Sequence, residues 1–374
     1  MVAAAGLNQF QGDGEEALQI AREIGWRAGE AYALTTLAYL RGACGQYGSA
    51  LDAARLAAEI AAEIEHREWL IRAYVALAAI YLDVFAPADA RKQLELAEPL
   101  AQASGSQLWL HAVAAFMASA DIAEKDFAHA KQVLKRVLGS EVSGHAMGER
   151  IAWCVRAELA LAEGDLDLAL EIAERLITAA PNASEQRVIP RLWKLRGQAR
   201  TRTKSFVQAE ADLIAARGAA SEQAARPLLW RVHLALGQVY QARRERGRAE
   251  QEFSAARAII AELAESITEP GLREHFLNGA AAELPRLPLL TPRRAAQREF
   301  AGLTERERQV AALIAEGKSN REIAQALVLS EYTAATHVAN ILNKLGFRSR
   351  AQIAGWAIAK GLVKPGAQSA DGSP

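Results

Sequence analysis

Gly317-Lys318-Ser319 has the residue types that close a phosphate-cradling loop, in which glycine lets backbone amides approach a phosphate and lysine meets its charge. That loop also needs a glycine at 312 and a strand before it. Position 312 is Ala312, inside apolar spacing that reads as helix, and no other GxxxxGK[ST] occurs in the chain. The nucleotide-loop reading fails on both counts. His66, His111, His129 and His233 share no metal-ligand spacing and read as surface or packing residues. Cys44 and Cys154 are the only cysteines, too few for a disulfide framework or a four-ligand zinc site. No nucleophile beside a base and no carboxylate pair in a glycine-bounded loop stands out. The chain reads as no enzyme, with no cofactor and no metal.

The chemistry that does stand out is that of binding, between Leu303 and Leu345. Three helix starts are marked there. Thr304-Glu305-Arg306-Glu307 and Ser319-Asn320-Arg321-Glu322 are capping boxes, and Ser330 precedes Glu331-Tyr332-Thr333 as a third N-cap. Apolar spacing sets the inward faces at Val310, Leu313 and Ile314, at Ile323 and Leu327, and at Val338, Ile341, Leu342 and Leu345. The second and third helices flank a tight turn at Leu327-Val328-Leu329. This is a helix-turn-helix, whose second helix enters a DNA major groove.

Leu303-Thr304-Glu305-Arg306-Glu307-Arg308-Gln309-Val310, then Gly317-Lys318-Ser319-Asn320-Arg321-Glu322-Ile323-Ala324, Thr336-His337-Val338 and Lys344-Leu345-Gly346-Phe347-Arg348-Ser349-Arg350 resemble the LuxR-type DNA-binding domain. The resemblance covers Leu303 to Lys364. It implies a fourth helix, Arg350 to Lys360, that carries dimer contact on double-stranded DNA. Arg321 and Lys344 are placed to meet phosphates, as are the amides and hydroxyl at Ser319-Asn320, since a helix N-terminus attracts anions. Tyr332, Ala335, Thr336, Ala339, Asn340 and Asn343 form the stripe expected to face base edges, with Thr333 beside it. Asn340 can pair with adenine, and the Thr336 methyl can touch a thymine methyl. His337 is expected to pack or hydrogen-bond within the domain. The family often has a larger aliphatic residue at 334 and a polar or charged one at 335; here both are alanine. The stripe therefore offers no cation to guanine, which shifts weight to thymine methyls, DNA shape and dimer spacing.

The elements that must carry this reader are helical repeats. Ala17, Ala50, Ala90, Ala130, Ala169, Ala209 and Ala249 recur in one local setting, each after a turn-like break and before a stretch of helical apolar spacing. The unit is a helix–turn–helix of about 40 residues, whose small residue marks a close helix crossing. Leu236-Gly237, Tyr240, Ala249, Phe253 and Ala256 resemble the tetratricopeptide pattern, with a longer period. Asp121 and Arg200 stand at the tyrosine position of other units. The fold expected is all-α: a tetratricopeptide-like α-solenoid over 1–265, a proline-containing linker over 266–302 (Pro285, Pro288, Pro292), a four-helix LuxR-type domain over 303–364 and a disordered tail over 365–374. Residues 14–24 read as the second helix of a unit whose first is missing or degenerate.

Trp69, Trp109, Trp153, Trp193 and Trp230 all fall in the first helix of a unit. They are either a stacking surface for an effector or space-fillers between helix pairs.

The chain has 374 residues and no net charge, unevenly spread. Residues 291–364 carry 12 Lys and Arg against 6 Asp and Glu, while residues 1–290 carry 32 against 37. A basic block on an acidic body points to a polyanion partner at one end. No signal peptide is visible, and the most apolar window, Leu108 to Ala120, is too short to span a bilayer. A cytoplasmic location is expected. The combination resembles the C-terminal part of the MalT-type ATP-dependent LuxR regulators. It implies a transcription regulator, homodimeric on DNA, whose array receives a small-molecule or protein effector and which an N-terminal nucleotide-binding module precedes. The alternative is an interaction scaffold with a vestigial DNA-binding domain.

Overall fold

The structure is a computed structural model. It describes residues 7–144, 146–179, 189–285 and 300–362, with backbone alone at 7–9. It divides into two compact units, Met1–Pro285 and Arg286–Pro374.

The first unit is a run of helices: α1 (Leu7–Glu23), α2 (Arg27–Cys44), α3 (Tyr47–Glu63), α4 (Arg67–Asp83), α5 (Pro87–Ser104), α6 (Gln107–Glu124), α7 (Phe127–Val137), α8 (Met147–Glu163), α9 (Leu166–Thr178), α10 (Pro190–Arg202), α11 (Phe206–Glu222), α12 (Arg226–Ala242), α13 (Arg246–Glu265) and α14 (Pro270–Glu283). A finer period than 40 is visible in its turns. Left-handed residues stand at Gly25, Gly45, Glu65, Phe85, Gly105 and Lys125, then at Gly164, Lys204, Ala224 and Arg244. Each follows a helix of 17 or 18 residues, except Lys204, which follows the 13-residue α10. The next amide reaches back to a carbonyl of the last turn: Gln46 to Arg41 (2.8 Å), Ala86 to Tyr81 (2.8 Å), Asp165 to Ala160 (2.9 Å) and Glu245 to Tyr240 (2.8 Å). That 6→1 bond is the Schellman closure, which satisfies carbonyls otherwise left open at a helix end. The repeat is thus one helix and one such turn, used twice.

Ala50, Ala90, Ala130, Ala169, Ala209 and Ala249 are buried where helices cross, as their size requires. Ala17 is exposed. The departures at the tyrosine position are filled by ion pairs. Asp121, fully buried, is met by Arg91 (2.8 Å) and His129 Nδ1 (2.9 Å), and Arg200 joins Arg196 on buried Asp212. Two other histidines have partners within the array. His66 caps α4, and His233 pairs with Glu252 at 2.6 Å. Both cysteines are free and buried.

Residues 270–283, within the stretch expected to be linker, form a helix packed on the array. α14 buries Leu272, Phe276 and Ala280, a stripe at four-residue spacing, and opens with Pro270 at its N1 position, where the missing amide costs nothing. Pro288, Pro292 and the tail 365–374 lie outside the described residues. Trp109, Trp153 and Trp230 are buried and present no stacking face. Trp69 and Trp193 are half-buried. Trp69 stacks on His66 and tilts against Tyr32, and Trp193 lies under the Arg196 guanidinium.

The array also closes on itself. Gly48 N donates to Ser266 O (2.9 Å), Ser266 Oγ donates to Gly45 O (2.7 Å), and Arg55 pairs with Glu269 (2.6 Å). Arg231 of α12 pairs with Asp83 of α4 at 3.2 Å. Tyr47, Phe85, Trp230 and Phe276 form one aromatic cluster, with ring centroids 5.8 to 6.4 Å apart. One hydrophobic core therefore joins both ends of the array, while α8–α10 keep a smaller one.

The second unit holds α15 (Glu305–Ala315), α16 (Asn320–Leu327), α17 (Glu331–Leu345) and α18 (Arg350–Ala359), packed around Leu303, Val310, Ile314, Ile323, Ile341 and Ile353.

Candidate nucleic-acid interface

The interface is built from three capped helix starts. Thr304 Oγ1 accepts from Glu307 N, and Glu307 Oε2 accepts from Thr304 N at 2.7 Å, so α15 opens on a closed capping box. Ser319 and Glu322 do the same for α16, and Ser330 Oγ accepts from Thr333 N at 3.0 Å for α17. Both ends of α16 are pinned from outside. Arg306 donates to the Leu327 carbonyl, and Arg350 donates to the Lys318 carbonyl and to Asn320 Oδ1 (2.8 Å).

The stripe on α17 is where the sequence puts it. Tyr332, Ala335, Thr336, Ala339, Asn340 and Asn343 are all exposed, and Ala334, one position off, is buried. Thr336 Oγ1 donates to the Tyr332 carbonyl at 2.9 Å, which leaves its methyl as its free group. Arg321 is exposed and makes no hydrogen bond or ion pair among the described residues.

Four of the assigned groups already have partners within the domain. Lys344 Nζ lies 2.8 and 2.7 Å from the two oxygens of buried Glu307. Burial pushes the Glu307 carboxyl up, and the bonds from Lys344 and Thr304 outweigh it, holding the group below its ordinary value. Ser319 gives both its amide and its hydroxyl to Glu322 Oε2, each at 2.7 Å. The positive end of α16 is thus met by its own carboxylate, which those bonds keep ionised. Asn320 is held by Arg350, and Thr333 Oγ1 lies 2.7 Å from Ser330 Oγ. His337 is half-buried, with a buried Nδ1 that has no partner among the described residues. Lys318, which the sequence reading left aside with the rejected loop, is exposed beside Arg321. Its signal is a cation immediately before a capping serine at the start of the helix-turn-helix.

Residues 301–357 match the family described as bacterial regulatory proteins, luxR family. The "Uncharacterized transcriptional regulatory protein YhcZ" of Bacillus subtilis is 54% identical over 56 residues, 15% of this chain and 26% of that protein. The "Putative HTH-type transcriptional regulator Rv0890c" of Mycobacterium tuberculosis is 27% identical over 367 residues, 94% of this chain and 38% of that protein. The chain thus spans well under half the length of these relatives. Among solved structures, a tetratricopeptide repeat protein from Parabacteroides merdae aligns with 70% of this chain and 90% of its own, at 17% identity and a TM-score of 0.41. Residues 301–357 thus form a helix-turn-helix DNA-binding domain of the luxR family of bacterial regulatory proteins.

Proposed function

We propose that the protein is a sequence-specific transcriptional regulator, dimeric on DNA, in which α17 reads the major groove and the helical array receives a small-molecule or protein effector. The observation that carries the reading is the α17 stripe: six exposed residues without a charge, at helical spacing, beside the exposed cations Lys318 and Arg321. Cations that position and uncharged groups that read are the two halves of a sequence reader. The dimer is supported by α18, whose exposed residues other than Gln352 (Ala351, Gly355, Ile358 and Ala359) are small or apolar.

Selection of bound duplexes from a random DNA pool with the whole chain tests the reading. The expected result is an enriched motif with two-fold symmetric half-sites. Binding no tighter than about 10⁻⁴–10⁻⁶ M at physiological salt, with no enrichment, is what a scaffold with a vestigial domain would give.

A further inference from the structure

Among the described residues, the two most exposed large apolar side chains are Val328 (91%) and Tyr332 (84%). They stand four residues apart, at the turn of the helix-turn-helix and in the first turn of α17. Val328 is anomalous twice over. Its φ and ψ are 55° and 54°, the left-handed region in which a β-branched residue is strained. Its side chain also takes no part in the domain's core, to which Leu327 belongs. Glycine would hold this turn without the strain and without the exposed isopropyl group. A strained, solvent-facing valine that the fold does not need is the kind of feature found at functional sites.

We infer that Val328 and Tyr332 form an apolar edge that reads the 5-methyl group of a thymine. The inference rests on α17 entering the major groove, where the thymine methyl is the one apolar group on any base edge. The N-terminal end of a reading helix is the end that meets base edges, and both residues are at that end. The rest of the stripe supplies small groups at Ala335 and Ala339 and no cation, so shape-matched apolar contact is a readout this surface offers beside the Asn340 amide. Val328 lies outside the stripe that helical periodicity identifies, because it belongs to the turn.

The test replaces each thymine of the selected operator by deoxyuridine, which removes only the methyl, and measures Kd for the whole chain and for Val328→Gly. The wild-type chain is expected to lose about fourfold at one thymine of each half-site, the value of burying one methyl-sized group. Val328→Gly should bind the thymine operator weaker by a similar factor, show no further loss on that deoxyuridine duplex, and melt no lower than wild type. Tyr332→Ala should reduce the same dependence. If Val328→Gly loses equally on thymine and deoxyuridine duplexes, or loses nothing, the inference is overturned while the reader stands. If the chain selects no operator, the reading beneath it fails as well.

Discussion

Lys344 sits in the last turn of α17, where a cation could reach a phosphate, yet both oxygens of Glu307 hold it. The pair ties α17 to the capping box of α15, so its loss should be felt as stability. Lys344→Met leaves a buried carboxylate short of two bonds and should cost about 1–3 kcal/mol, read as a lower melting temperature of the domain. Glu307→Gln in the same chain should restore part of the loss, because no uncompensated charge then remains buried. The pH dependence follows from the direction of the shift. Glu307 is held below its ordinary value in the folded state, so its contribution is complete above the unfolded value, about 4.3, and fades as pH falls through the lower folded value. Thermal melts of the wild-type chain should lose stability below about pH 4, and Glu307→Gln should flatten that limb. A melting temperature unchanged in Lys344→Met would return the lysine to the phosphate.

At the scale of the element, α16 and α17 divide positioning from reading. Arg321→Ala removes a free cation and should flatten the slope of log Kobs against log salt by about 0.9, weakening all sequences alike. Asn340→Ala should cost roughly 1–3 kcal/mol at one base position and leave the slope alone. Competition titrations over 50–200 mM salt with operator and scrambled duplex separate the two. Equal behaviour would show the division to be wrong. The stripe these predictions use was legible in the sequence, because period 3.6 and three cap signatures orient every residue of a short helix. The fate of Lys344 was not, since it is decided by a carboxylate 37 residues away in another helix. The array shows the same divide. Its 40-residue period is written in alanines that must be small, but α14 was read as linker because nearby prolines masked the stripe of Leu272, Phe276 and Ala280.

In an ordinary solenoid each repeat touches only its neighbours, and damage in one repeat stays local. This array is different, because residues 45–48 are bonded to Ser266 and share an aromatic cluster with Phe276. Such closure leaves no local signature, as Gly45 and Gly48 look like any turn. Its fit is nonetheless tight. A Cβ on Gly48 would come within 2.7 Å of the Ser266 carbonyl, and one on Gly279 within 2.2 Å of the Phe85 ring. Gly279→Val should therefore force α14 away from Phe85, in the turn after α4, at a cost of about 1–3 kcal/mol. Hydrogen exchange shows where that cost falls. A closed array predicts faster exchange at Gly48, more than 200 residues from the substitution, while amides of α8 and α9, which pack in a separate core, keep their protection. Faster exchange confined to α13 and α14 would mean that the contact adds nothing and that the array behaves as an open solenoid.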